Sequence, residues 1–374
     1  MTGFKCFTEL VQSLPATVPF VGPEEQERKR GEPFLARLGA NESGFGPSPA
    51  VIEALAKEAP DIWKYGDSQN FDLRTALADH LGVDYANLMV GEGVDGLLGL
   101  AVRMVVSPGT PVVTSLGAYP TFNYHVAGFG GRLVTVPYRE DREDLDGLLE
   151  AVLREDAPLV YLSNPDNPMG SWWEAGKVLG LADSLPETTM LVLDEAYCEF
   201  APQGALPAID SLLARPNVIR MRTFSKAYGL AGMRIGYAIG APETIRTFDK
   251  IRNHFGMSRL SLVAAEAALK DQDYLRGVVA DVSSARDRIA EIASANGLKA
   301  LPSATNFVAI DCGRDGPFAR AVLDALVYRG VFVRMPGVAP LDRCIRVSAA
   351  PAPELDAFAR LLPAALDEAA TRVG

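Results

Sequence analysis

Lys226 lies in the stretch RTFSKAYGLAGMRIGY (222–237), directly after Ser225 and eight residues before Arg234. The run ahead of it, NVIRMRTF, reads as a strand, and the glycines behind it let backbone approach a ligand closely. A lysine here has two readings. One is a solvated loop charge, the ordinary state of lysine. The other is an amine whose proton affinity is depressed by burial, so that it attacks carbonyl compounds.

Other residues meet the needs of one such carbonyl compound, pyridoxal phosphate. Its phosphate needs backbone N–H donors at a helix N-terminus, and GEGVDG (91–96) lies between a strand-like run and a helical one. Its pyridine nitrogen needs a carboxylate, and Asp194 closes the apolar run MLVLD. Its ring hydroxyl needs donors, for which Tyr197 and Asn167 of NPDNPMG are candidates. Tyr119 of GAYPTF could cover the ring face, and Arg234 could add a charge-assisted bond to the phosphate. Each residue also has a plain alternative. Asp194 could be a helix cap, Asn167 a turn asparagine, and Tyr119 a core tyrosine. GEGVDG also fits the dinucleotide pattern G-x-G-x-x-G, but the first strand of such a domain ordinarily comes near the chain start.

In order and spacing, the motifs GANESGFGPSP, GEGVDGLL, AYPTF, NPDNPMG, LDEAYCEF, RTFSKAYGLAGMRIGY, SATNFV, GVFVR and IRVS resemble the class I/II (fold type I) pyridoxal-phosphate aminotransferases. Within them the chain is most similar to the histidinol-phosphate aminotransferase group, from about residue 38 onward. The resemblance implies that Lys226 holds the cofactor as a Schiff base and then shuttles a proton. It implies that Asp194 pairs with the pyridine nitrogen and that Asn167 and Tyr197 bond the ring oxygen, while Tyr119 stacks on the ring. Val94, Asp95, Ser225 and Arg234 would hold the phosphate. Tyr65 of WKYGDSQN would reach the cofactor of a neighbouring subunit, making the unit a homodimer. Arg346, with Arg334 and Asn41, would bind substrate.

The implied reaction is ping-pong transfer of an amino group from a donor of histidinol-phosphate or aromatic amino-acid type to 2-oxoglutarate. A decarboxylase of a phosphorylated amino acid (threonine-phosphate type) or a β-eliminating lyase would use the same lysine. The chain departs from the common pattern in four places. NPDNPMG stands for NPNNPTG, KYGD for RYPD, GEGVDG for GNGSDE, and Gly256–Met257–Ser258 for Asn-Val-Asn.

The elements that must position these residues read as alternating strands and helices between residues 88 and 240. That pattern implies βαβ units and a mostly parallel sheet, whose ligands sit beyond the carboxyl ends of the strands. The fold expected is therefore α/β, the fold type I transferase fold, with a large domain over 51–260 and a smaller α+β domain over 261–374. An N-terminal arm (1–50), extended over 17–49, would join the smaller one. The sequence of 374 residues carries a net charge of −11, against a nucleic-acid partner. Four scattered cysteines and three histidines form no metal or redox motif. No apolar stretch is long enough to span a membrane, and residues 1–20 lack a signal-peptide pattern, so the expected location is the cytoplasm.

Overall fold

The computed structural model describes residues 6–16 and 21–373. Twelve strands run in chain order as β1 (Ala36–Arg37), β2 (Leu88–Gly91), β3 (Pro111–Ser115), β4 (Arg132–Val136), β5 (Leu159–Ser163), β6 (Met190–Asp194), β7 (Val218–Thr223), β8 (Gly236–Gly240), β9 (Lys299–Ala300), β10 (Phe307–Asp311), β11 (Val331–Phe332) and β12 (Cys344–Ser348). Seven of them form one sheet in the order β2-β8-β7-β6-β5-β3-β4. Every pairing in it is parallel except those of β8, which runs against both neighbours.

The central strands are apolar on both faces because helices cover both. Leu159 and Tyr161 of β5 pack with residues of the helices Gly93–Val105 and Pro120–Gly128. Val160 and Leu162, on the opposite face, pack with residues of the helices Leu145–Glu155 and Ala175–Ser184. The parallel strands share a direction, so β3, β5, β6 and β7 all end at one edge, with Ser115, Ser163, Asp194 and Thr223 as their last residues.

The C-terminal third builds an antiparallel sheet, β12-β10-β9, against the helices Gln272–Ala295, Gly316–Tyr328 and Ala352–Val373. The short β1 pairs in parallel with β11. The Leu38 N–H continues that pairing to the Phe332 carbonyl at 2.7 Å, and the Ser348 N–H reaches the Leu38 carbonyl at 2.8 Å.

The sequence predicts an extended arm over 17–49, and the structure corrects this. Residues 17–20 lie outside those described, but Pro23–Arg30 is a helix. Its eight residues, PEEQERKR, have no apolar stripe, which hid it from a periodicity argument. Its ends explain it: Pro23 opens it, Glu24 and Glu25 lie in the first turn, and Arg28, Lys29 and Arg30 in the last, complementing the helix dipole. Gly31 then takes the left-handed conformation (φ 81°) that stops it. Two further helices, Ala175–Ser184 and Pro242–Phe248, were likewise not read from the sequence. Among the described residues no helix is long and apolar enough to cross a membrane.

One buried charge pair sits under the sheet edge. Arg220 of β7 is 1% exposed and grips Glu195, which is fully buried, with contacts of 2.7 and 3.1 Å. Its remaining N–H groups reach the carbonyls of Ala208 and Pro207, both at 2.9 Å. Arg222 adds a second contact to Glu195 at 2.8 Å. The two arginines hold the Glu195 carboxyl below its ordinary range despite its burial. Removing one member of such a set leaves a charge without compensation. Glu195→Ala should therefore lose about 3–5 kcal/mol of stability in urea unfolding; a loss under about 1 kcal/mol would show that the network does not hold this edge.

Candidate active site

Beyond the strand ends lies a cavity of about 720 Å³. It gathers Lys226, Asp194, Tyr197, Asn167, Tyr119 and Asn41, and also Val94, Asp95, Ser225, Arg234, Arg334 and Arg346. Residues as far apart as 41 and 346 thus meet at one place. Tyr65 does not line the cavity in this chain. It is 80% exposed, with its ring 5.2 Å from that of Phe255.

The Lys226 amine donates to the Asn41 carbonyl at 3.0 Å and lies 5.7 Å from the centre of the Tyr197 ring. Burial pushes its pKa down to about 8, helped by the positive charges of Arg346 and Arg234 and opposed by Glu42 and Asp194. Asp194 faces the same space from the end of β6. One carboxylate oxygen accepts the Tyr161 hydroxyl at 2.8 Å, and the other accepts the Ala196 N–H at 2.9 Å. Burial raises this carboxyl to about 6, although both hydrogen bonds and Lys226 pull it down. A cation brought against Asp194 would restore the carboxylate, and a pyridinium nitrogen is such a cation.

The Tyr197 hydroxyl accepts from the side-chain amides of Asn41 at 3.1 Å and Asn167 at 3.4 Å, and burial raises its pKa. Tyr197 and Asn167 therefore stand together, as a shared contact to one ring oxygen requires. Tyr119 stands just before Pro120, the first residue of the helix Pro120–Gly128, and burial raises its hydroxyl pKa as well.

One end of the cavity is built from the start of the helix Gly93–Val105, which has no side-chain cap. Its first N–H groups have no partner within the helix and are left for a ligand. Gly93 has φ 75°, and a Cβ there would come within 2.9 Å of the Arg234 guanidinium, so the arginine lies directly over the helix start. Arg234 also reaches the Ser225 hydroxyl at 3.5 Å, and Ser225 contacts the Thr223 hydroxyl at 3.0 Å. The groups that line this end are donors, with Asp95 the one carboxylate among them.

At the opposite end, a β-bridge joins Arg334 and Arg346 and sets their side chains side by side. Arg346 donates to the Asn167 side-chain oxygen, while its Nε is buried without a partner. Burial lowers the pKa of both arginines. A buried N–H left free among convergent cations marks a place for an anion.

Tyr161, the partner of Asp194, was missed in the sequence. Its signal was one polar atom in the otherwise apolar PLVYL, which reads as an ordinary core tyrosine. Glu92 and Gly256 also prove to be neighbours. The Glu92 carboxylate fills the space that a side chain at 256 would need, so two of the departures from the common pattern are one spatial fact.

A buried amine, a buried carboxylate, the paired Tyr197 and Asn167 and an uncapped helix start beside a cation fit pyridoxal phosphate. Fold and site together define a fold type I pyridoxal-phosphate transferase. The family model described as aminotransferase class I and II matches residues 35–362, and the chain belongs to that family. It is similar to the histidinol-phosphate aminotransferase of Moorella thermoacetica, 34% identical over 96% of this chain and 92% of the relative. A second protein of that description, from Pseudomonas aeruginosa, is 34% identical over 94% of this chain and 95% of its own. The crystal structure of histidinol-phosphate aminotransferase from Sinorhizobium meliloti with pyridoxal 5'-phosphate superposes with a TM-score of 0.96. It is 63% identical in sequence over 98% of this chain and 99% of that one.

Two pH dependences follow. In cofactor-free protein, reductive methylation of Lys226 by formaldehyde and cyanoborohydride should rise with pH around a midpoint of about 8; a midpoint near 10.5, the ordinary lysine value, would contradict the burial argument. Asp194 is raised from 3.8 to about 6, so its contribution to stability is complete below about pH 4 and is lost as pH rises through about 6. The difference amounts to about 3 kcal/mol. Thermal melts of cofactor-free protein should show the wild type losing stability relative to Asp194→Asn between pH 4 and 7; parallel curves would refute it.

Proposed function

We propose that this chain is a pyridoxal-phosphate aminotransferase that moves the amino group of a phosphorylated amino alcohol, histidinol phosphate, to 2-oxoglutarate in two half-reactions. The observation that carries the reading is that one cavity gathers Lys226 and Asp194 with Arg334 and Arg346. The lysine suits amine chemistry, and the two arginines suit a phosphate or carboxylate on the substrate. The likeness to histidinol-phosphate aminotransferases supports the choice of donor.

When bound, pyridoxal phosphate supplies an aldehyde for amines and a protonated ring that takes up the electrons of a broken Cα–H bond. The chain supplies the rest. Asp194 keeps the ring nitrogen protonated, with Tyr161 fixing the carboxylate. Tyr197 and Asn167 would bond the ring oxygen, Tyr119 would lie against the ring, and Asn41 bounds the substrate side. Val94 and Asp95 give backbone N–H groups to the phosphate, and Ser225 and Arg234 add side-chain donors. Lys226, with a pKa of about 8, both accepts and returns a proton near neutral pH. Arg346 and Arg334 hold the substrate anion, which fixes the Cα–H bond toward Lys226.

The same reading takes residues 51–260 as the cofactor domain, and 261–374 with the arm 1–50 as the smaller one, which the β1–β11 pairing supports. It also takes the active unit as a homodimer. The exposure of Tyr65 supports this, because a tyrosine reaching a neighbour's phosphate must point out of its own chain. The cytoplasm is the proposed location, supported by the free thiols of Cys6, Cys198, Cys312 and Cys344.

Two experiments test the function. Borohydride reduction of the holoenzyme should leave a pyridoxyl group on Lys226, and Lys226→Ala should lose the adduct together with about 10²-fold or more of kcat. A panel of amino donors with 2-oxoglutarate should release glutamate fastest from histidinol phosphate. Preference for an aromatic amino acid would reassign the donor, and carbon dioxide release without glutamate would favour a decarboxylase.

A further inference from the structure

Asn306 lies on the turn before β10 and is fully buried. Its backbone is held independently of its side chain, because its carbonyl accepts the Ala349 N–H at 2.8 Å. The neighbouring residues are fixed too: Arg286 donates to the carbonyls of Ser303 and Thr305 at 2.8 and 3.2 Å. The side-chain amide is therefore not needed to shape the turn. Its Nδ2 donates to the Asn41 carbonyl at 3.0 Å and to the Glu42 carbonyl at 3.4 Å, while its Oδ1 is buried with no partner. An amide that leaves its own oxygen unsatisfied in a dry interior is a poor choice for stability alone.

The carbonyl that Asn306 holds is the one that receives the Lys226 amine. A carbonyl oxygen offers two lone pairs, and at Asn41 one goes to Asn306 and the other to Lys226. Asn41 itself is set in the left-handed region (φ 55°). Its N–H reaches the Ser348 hydroxyl at 3.1 Å, and its side chain reaches the Tyr197 hydroxyl at 3.1 Å. The backbone of Asn41 is thus held on both sides of its Cα, at the N–H by Ser348 and at the carbonyl by Asn306.

We propose that Asn306 is a positioning residue for the reaction: through the backbone carbonyl of Asn41 it fixes where the Lys226 amine rests whenever that amine is not bonded to the cofactor. The role rests on the reading of Lys226 as proton carrier. An acceptor aimed at the amine stabilises its protonated form, against the positive charges of Arg346 and Arg234 and alongside Glu42 and Asp194. Without Asn306 the carbonyl is no longer aimed, and the protonated amine loses a fixed partner.

The test uses the full chain carrying Asn306→Leu, which matches the amide in size and cannot donate, and Asn306→Ser, which keeps a shorter donor. In cofactor-free protein, formaldehyde and cyanoborohydride label Lys226 across a pH series, and mass spectrometry of its peptide gives the midpoint. The expected result is a midpoint lowered by about half a unit or more in the Leu variant, and by less in the Ser variant. In the holoenzyme, kcat should fall about tenfold while the KM of the amino donor stays within about twofold. If the Leu variant does not fold, a lowered midpoint in the Ser variant carries the test. A midpoint that stays at the wild-type value or rises overturns the proposal, even if melting temperature or activity falls. Because labelling needs no turnover, a lowered midpoint in a protein that proves not to transaminate would overturn the function while leaving the placement of the amine intact.

Discussion

Keeping the amine of Lys226 away from bulk water is the constraint on which the site depends. A solvated lysine is protonated at neutral pH and has no lone pair to offer. Burial removes that hydration, and the two guanidinium groups nearby push in the same direction. The surroundings must then hold the amine without restoring its proton fully. A backbone carbonyl, which carries no net charge, does this at Asn41, while the carboxylate of Asp194 is held by Tyr161 and the Ala196 N–H instead.

The sheet makes this arrangement possible. Parallel strands end at one edge, so β5, β6 and β7 deliver Ser163, Asp194 and Thr223 into the same space while their bodies stay apolar. Asp194 and Thr223 arrive in this way, and the lysine turn follows directly on β7. The Arg220–Glu195 pair lies immediately behind this row. Glu195 follows Asp194 in sequence, and Arg220 is three residues before Thr223, so the ion pair ties the ends of β6 and β7 together. A charge pair buried this deeply gains little in net stability. Its directional contacts, unlike apolar packing, fix the relative position of two strand ends that must present Asp194 and Lys226 to one ligand.

Much of this was legible because the chemistry is local. A lysine in a Gly-rich turn, an aspartate closing an apolar run and an uncapped helix start after a strand are each written within a few residues. The alternation from 88 to 240 likewise announces the sheet, including the position of its strand ends. What was not legible depends on contacts between distant segments. Tyr161 reads as core until its hydroxyl is seen against Asp194, and nothing within SATNFV sets Asn306 apart until Asn41 is folded against it. The helix at Pro23–Arg30 has no apolar face, so its only local signals were charge order and its capping residues. Antiparallel β8 could not be distinguished from another parallel strand, because burial on both faces gives either direction the same apolar composition.

The contact between Glu92 and Gly256 bears on how such a chain can change over time. Here an acidic side chain occupies the room that its glycine partner leaves open. A Cβ at 256 would meet the carboxylate of Glu92, the far end of a flexible side chain beside the start of the helix Gly93–Val105. A side chain introduced at 256 would therefore depend on the freedom of the Glu92 side chain to turn aside.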